Sequence, residues 1–437
     1  MFRVEKALKA ARDTKALRIG SGELRNIAGL FAEQFPGKRA IVIADDNTFK
    51  VAGAHVVELL KAAGIAQDEA FIFSDPDLYA EYKFVEQLLA SLKGTDAIPI
   101  AVGSGTINDL TKLSAYLSGR QYLCVATAAS MDGYTAFGAS ITANGAKQTF
   151  SCPAPQACLA DIDIIRKAPP EMTASGYADL FAKITAGADW ILADKLGEEP
   201  IDRQAWSIVQ DGLHEALSNP AGVKNGDPDA IAQLIEGLLL GGFAMQCAQS
   251  SRPASGAEHQ FSHLWNMEHH LHSGRQVSHG FQVSIGTLAI TALYEQALQT
   301  SMEQLDIVAC CEAWPSPEEQ EKQVGELFSG TDFQKVALKE TQVKYINRTQ
   351  LAAQLKLLAE NWEDIRMALK KQLMPYAEAR QRLSLVGAPI SPEQVGISPE
   401  RLRATFVRAQ CIRRRFTILD LALRTNMLHT WINRITL

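Results

Sequence analysis

Between residues 17 and 168, short apolar runs alternate with helical stretches that close on glycine. Leu17-Arg-Ile-Gly, Arg39-Ala-Ile-Val-Ile-Ala44, Ala70-Phe-Ile-Phe73, Ala97-Ile-Pro-Ile-Ala-Val102 and Tyr122-Leu-Cys-Val-Ala126 read as strands. Residues 157–163 end the series, and helical patterns over 24–35, 51–63 and 84–92 lie between the strands. Strand and helix in repetition require crossovers of one hand and a parallel sheet flanked by helices. Pro99 removes a ladder N–H from its strand, which argues against a central place for it. Residues 1–16 read as a helix or an arm, and 141–148 with 147–150 as a hairpin with a polar tip.

Pro169-Pro170 marks a change of pattern, beyond which the chain is helical almost throughout. A chain of 437 residues exceeds one hydrophobic core, which rarely grows past about 250–300 residues. The expected architecture is therefore an α/β, Rossmann-like domain over 1–168 and an all-α domain over 169–437. Helices are expected from Thr173 or Ser175 through Trp190, over 201–218, 231–249 and 282–298, and as a pair within 402–428. The charged segment 302–380 reads as a less constrained outer subdomain, and the basic run 413–415 as a solvated or interface face. A net charge of −6 with both signs spread along the chain argues against nucleic acid or a membrane as partner. The apolar run 234–248 contains Glu236 and Gln246 and is too short to span a bilayer. The start Met-Phe-Arg-Val-Glu-Lys has no apolar segment of a signal peptide, and seven Cys without a CxxC suit a reducing compartment. A cytoplasmic location is expected.

Ligands of parallel sheets bind at the carboxyl ends of strands, and three such ends carry chemistry here. Gly103-Ser104-Gly105-Thr106 lies between strand and helix, where backbone N–H groups and the positive helix end suit a pyrophosphate. It is neither a GxGxxG fingerprint nor a P-loop, and a plain tight turn is the alternative. Asp45 sits where a carboxylate binds ribose hydroxyls and favours NAD over NADP; capping the next helix is its alternative role. The loop Thr127-Ala-Ala-Ser130-Met-Asp132-Gly has hydroxyls and an acid for a nicotinamide ribose and a substrate hydroxyl.

Six of nine histidines fall between His259 and His279. Arg252-Pro-Ala-Ser-Gly256 is a loop, and a helical pattern begins at Glu258. His259 and His263 then stack one turn apart, and with a third His they suit a divalent metal that needs a carboxylate to complete it. Asp179 shares a helix face with Lys183 on an apolar helix, where a buried Asp needs a partner. It is the candidate carboxylate.

Taken together, these pieces resemble the glycerol-1-phosphate dehydrogenases of the bacterial AraM type, within the iron-containing alcohol dehydrogenase and dehydroquinate synthase-like superfamily. The resemblance rests on Val42-Ile-Ala-Asp45, Gly103-Ser-Gly-Thr-Ile-Asn-Asp109, Thr127-Ala-Ala-Ser-Met-Asp132-Gly and Gly176-Tyr-Ala-Asp179-Leu-Phe-Ala-Lys183. It continues through Ser251-Arg-Pro-Ala-Ser-Gly-Ala-Glu-His259, His279-Gly280 and Arg415-Phe-Thr-Ile-Leu-Asp-Leu-Ala, in family order. It implies a dehydroquinate synthase-like fold and one zinc or nickel ion on Asp179, His259 and His279, with His272 as the competitor of His279. It implies NAD(P) on Asp45, Gly103, Ser104, Gly105, Thr106, Thr127 and Ser130. Catalytic and substrate contacts fall on Asp132, Asp179 and His263. Ala136 stands where the family commonly has Ser, with Thr135 beside it.

The implied activity is reversible, metal-dependent reduction of dihydroxyacetone phosphate by NAD(P)H to sn-glycerol 1-phosphate, a step of phospholipid metabolism. Lys183 and Arg252 are candidates for the phosphate. The rivals are a glycerol or other polyol dehydrogenase, a dehydroquinate synthase-like lyase, and a non-enzymatic relative. A small phosphorylated ketone or polyol is the expected partner, and a homodimer the default assembly.

Overall fold

The computed structural model describes residues 2–143 and 146–435. The chain divides into two units. One comprises residues 1–180, 203–253 and 385–387; the other comprises 181–202, 254–384 and 388–437.

The first unit is built on a six-stranded parallel sheet. Its strands are β1 (Ala16–Gly20), β2 (Ala40–Asp45), β3 (Phe71–Phe73), β4 (Ile98–Gly103), β5 (Leu123–Ala126) and, after a hairpin, β8 (Ala157–Asp161). The order is β1-β8-β5-β4-β2-β3, every neighbour parallel. Strands β4, β5 and β8 are buried along their whole length. That burial is why they read as continuous apolar runs rather than alternating ones. The hairpin strands β6 (Ala139–Ala143) and β7 (Ala146–Phe150) pair antiparallel, and the tip at 144–145 lies outside the described residues.

Pro99 stands in an interior strand, contrary to expectation, and the register explains it. The neighbouring Ile98 donates to Arg39 O at 2.8 Å on the β2 side, and pairing with β5 begins only at Ile100↔Leu123. The missing N–H of Pro99 thus falls before β5 starts, where the ladder makes no demand on it.

The first unit also contains the helix Pro228–Ala248, capped by Asp227. At 21 residues it is longer than its apolar run suggested, and it is the one described helix long and apolar enough to cross a membrane. Two thirds of its apolar window is buried (67%), and it packs on the Phe2–Ala10 helix and the Arg203–Gln210 helix. The stretch 201–218 is not one helix. It breaks at Gly212, whose φ of 76° is left-handed, into Arg203–Gln210 and Leu213–Ala216.

The second unit is helical, apart from the two-residue strands Leu271–His272 and Arg275–Gln276. Segment 302–380 is not a loose outer subdomain. Phe328, Phe333, Leu355, Trp362 and Leu369 share one buried cluster with Phe261, Trp265, Ile285 and Leu293. The charged residues that suggested looseness lie on the outer faces of these helices, a side that sequence charge alone does not reveal.

Candidate active site

At the carboxyl end of β2, the Asp45 side chain caps the next turn. Its Oδ1 accepts from the Asn47 and Thr48 N–H groups at 2.8 and 2.9 Å, and Thr48 Oγ1 returns the bond to the Asp45 N–H. The capping alternative is therefore realised, through one carboxylate oxygen.

At the end of β4, Gly103 meets the side chain of Ile107, and Gly105 that of Met131. A Cβ on either glycine would lie 2.6 and 2.9 Å from those groups. Ser104 is the N-cap of the Gly105–Leu117 helix and makes no side-chain capping bond. Thr106 lies in the first turn of that helix. Thr127 is buried, and its N–H reaches Gly103 O at 3.1 Å, which joins the first loop to the second.

The loop 127–138 is held from two sides. The Pro170–Phe181 helix packs against it so closely that a Cβ on Gly176 would lie 1.9 Å from Ala129 O. Ser175 donates to Ser130 O at 3.3 Å, and the Asp132 N–H donates to Asp179 Oδ2 at 3.0 Å. Asp179 is fully buried. From the other side comes Lys112, on the Gly105–Leu117 helix, a residue that motif reading passed over. Its ammonium donates to the Gly133, Ala136 and Gly138 carbonyls at 2.9, 3.0 and 3.0 Å. Thr135 stands beside Ala136, the position where the family commonly has Ser. It is fully buried and donates to Leu239 O at 2.7 Å.

In the second unit, His259 and His263 lie one turn apart on the Ala257–Met267 helix, and His279 opens the His279–Leu298 helix. The His259 and His279 ring centroids are 5.2 Å apart; His263 lies 6.2 Å from the former and 6.3 Å from the latter. Nδ1 of His259 donates to Glu258 Oε1 at 2.7 Å. Ser262 donates to Gln282 Oε1, which turns a Ser262 lone pair to Nδ1 of His279 at 3.2 Å. With Nδ1 engaged in both rings, Nε2 is the nitrogen through which each would coordinate.

Glu258 is fully buried and also accepts from the Gly256 N–H at 2.6 Å and the Thr185 hydroxyl at 2.8 Å. Burial pushes its carboxyl up. The hydrogen bond and attraction of His259, with backbone N–H donors, outweigh that and hold it below the usual range. Sequence reading missed this residue, although an acid directly before a candidate ligand histidine was a visible signal.

Among the described residues, Asp179 of the first unit and His259 and His279 of the second are of types that could hold a metal ion. One carboxylate and two imidazoles suit a divalent ion of borderline softness, with room for a further ligand. The other histidines are engaged elsewhere. His270 is buried, its Nε2 donating to Val395 O at 2.6 Å and its Nδ1 accepting from Arg401 at 2.8 Å. His272 is exposed against Gly396, and exposed His269 lies 3.7 Å from Asp332. Lys183 and Arg252 are both buried.

Fold and sequence comparisons converge on one class. Residues 18–169 match the iron-containing alcohol dehydrogenase family. A glycerol dehydrogenase structure from Schizosaccharomyces pombe superposes with a TM-score of 0.62 at 17% identity, covering 96% of this chain and 90% of that one. A maleylacetate reductase from Agrobacterium tumefaciens gives 0.58 at 14% identity, over 97% and 96%. The chain thus has the fold of the iron-containing alcohol dehydrogenase class.

Closer likeness lies within that class. The chain is 34% identical to the NAD(P)+ glycerol-1-phosphate dehydrogenase of Halalkalibacterium halodurans over 60% of its own length and 66% of that protein. It is 30% identical to that of Geobacillus thermodenitrificans over 87% and 86%, and 31% to that of Pyrococcus horikoshii over 63% and 77%. The chain belongs to the glycerol-1-phosphate dehydrogenase family.

Proposed function

We propose that the chain catalyses reversible reduction of dihydroxyacetone phosphate by NAD(P)H to sn-glycerol 1-phosphate. What supports this reading is the Asp132 loop bonded to Asp179 in one unit and the His259 and His279 rings 5.2 Å apart in the other, in a glycerol-1-phosphate dehydrogenase relative. Asp179, His259 and His279 are the ligands of one zinc or nickel ion. Held there, such an ion would supply Lewis-acid polarisation of a ketone oxygen.

The chain's own residues do the rest. Glu258 and Ser262 fix the two ligand imidazoles by their Nδ1 atoms. Gly103, Ser104, Gly105 and Thr106 present a helix N-terminus to the cofactor pyrophosphate. Asp45 takes a ribose hydroxyl on Oδ2, since Oδ1 is committed to its cap, and Thr127 and Ser130 line the nicotinamide ribose. Held by these residues, NAD(P)H would supply a hydride for the ketone carbon, with a proton for the oxygen, and would itself be oxidised as the ketone is reduced. His263 orients a substrate hydroxyl and relays that proton, Asp132 and Asp179 contact the substrate, and Lys183 supplies charge for its phosphate.

In this reading residues 1–168 bind the dinucleotide, and 169–437 bind metal and substrate. A cytoplasmic homodimer serving phospholipid metabolism completes the proposal. The test compares dihydroxyacetone phosphate with dihydroxyacetone as substrates, following NADH and NADPH oxidation by metal-reconstituted protein. At least 100-fold higher kcat/KM for the phosphorylated ketone is expected. Equal or better use of the free ketone would make this a polyol dehydrogenase instead.

A further inference from the structure

Lys112 has a fully buried side chain, and a buried ammonium demands partners. A lysine has three N–H donors, and all three meet backbone carbonyls of one short segment: Gly133, Ala136 and Gly138, at 2.9 to 3.0 Å. The countercharge is on the same helix, where Asp109 Oδ1 lies 3.5 Å from the ammonium. Asp109 Oδ2 accepts from the Ser140 N–H at 3.1 Å, just past the segment. Asn108 adds a bond to Gly133 O at 3.3 Å and is itself braced by the Tyr122 hydroxyl at 3.1 Å. One helix face thus grips the whole stretch from Gly133 to Ser140.

That stretch has little regular structure of its own. Its internal bond is a single turn from the Ala136 N–H to Gly133 O at 3.3 Å. Yet it begins next to Asp132, whose N–H sets Asp179 Oδ2. The grip therefore reaches two acids of the reaction site through backbone alone.

We propose that Lys112 is a positioning residue of the hydride-transfer site: its ammonium is the hub around which the 133–138 backbone closes, and it thereby fixes Asp132 and Asp179. The proposal rests on the roles assigned to those two acids above. A hub of this kind costs little to keep, because the charge is balanced by Asp109 and every donor is used. Losing it frees several carbonyls at once, and a shift of about 1 Å in a site can cost about 100-fold in rate.

The test is the charge-balanced double variant Lys112→Met with Asp109→Asn, alongside Lys112→Met alone. Three quantities are read: amide exchange over 131–138, zinc affinity by chelator competition, and kcat against KM per metal-loaded site. We expect exchange in that segment at least 10-fold faster, zinc bound about 10-fold more weakly, and kcat down at least 10-fold with KM for NADH within twofold. A lower melting temperature with unchanged segment exchange, zinc affinity and kcat per loaded site would overturn the proposal and leave Lys112 a core residue. If the single variant fails to fold, the double variant decides. A wild-type protein that ignores dihydroxyacetone phosphate would sink the substrate reading, whereas the exchange and zinc results would still decide on Lys112.

Discussion

At the scale of single residues, the proposed metal site depends on side chains that hold the candidate ligands as much as on those ligands. Glu258 is the clearest case. It has no exposure, yet it stays ionised because His259, Gly256 and Thr185 supply its hydrogen bonds. Its bond to Nδ1 fixes the tautomer that turns Nε2 outward and makes the imidazole a stronger donor. Replacing it by Gln keeps the shape but removes the charge. Glu258→Gln is expected to weaken zinc or nickel binding by about 10- to 100-fold, measured by competition with a chromophoric chelator. Unchanged affinity would mean that Glu258 serves only to start its helix. The histidines were legible because i,i+4 spacing and local density single them out. Glu258 and Lys112 were not, because one acid beside one histidine, or one lysine on a helix, is ordinary until burial is known.

At the scale of elements, the sheet was legible strand by strand, most plainly in β4, β5 and β8, since fully buried parallel strands write themselves as unbroken apolar runs. Pro99 was misjudged because the start of the neighbouring strand is invisible from its own. The close approach of the Pro170–Phe181 helix to the 127–130 loop was likewise hidden, although Gly176 marks where it occurs. Gly176→Ala is expected to cost about 1–3 kcal/mol of stability, as overpacking does, and to raise KM for NAD(P)H through displacement of Thr127 and Ser130. Calorimetry with steady-state kinetics checks both effects, and a neutral substitution would contradict the packing.

The connection between the two histidine helices carries a pH dependence. Burial holds the His270 imidazole below its ordinary value, with the nearby Arg401 adding to that and the bond to Val395 O opposing it. The folded form therefore takes up a proton later than the unfolded one, so stability is full above the ordinary imidazole value of about 6.5 and falls as pH drops below it. Replacing His270 by Gln is expected to flatten the fall in melting temperature between about pH 6.5 and 5. An unaltered pH profile would show that other groups set it.

At the scale of the whole molecule, composition and the alternation of elements were enough to expect an α/β half followed by a helical half. They misjudged segment 302–380, because charge density reports the outer faces of helices and not the Phe328, Leu355 and Trp362 side that enters the core. Family membership reached furthest, since no single motif would have carried it but their order along the chain did. The central claim is a metal-dependent reductase built on Asp179, His259 and His279. The most direct test strips the protein with a chelator, adds back zinc or nickel in measured amounts, and follows NADH oxidation with dihydroxyacetone phosphate, using His259→Ala as the comparison. The account predicts no turnover without metal, recovery saturating near one ion per chain, and loss of at least 1,000-fold in the variant. Full turnover by the stripped protein, or by His259→Ala, would contradict it.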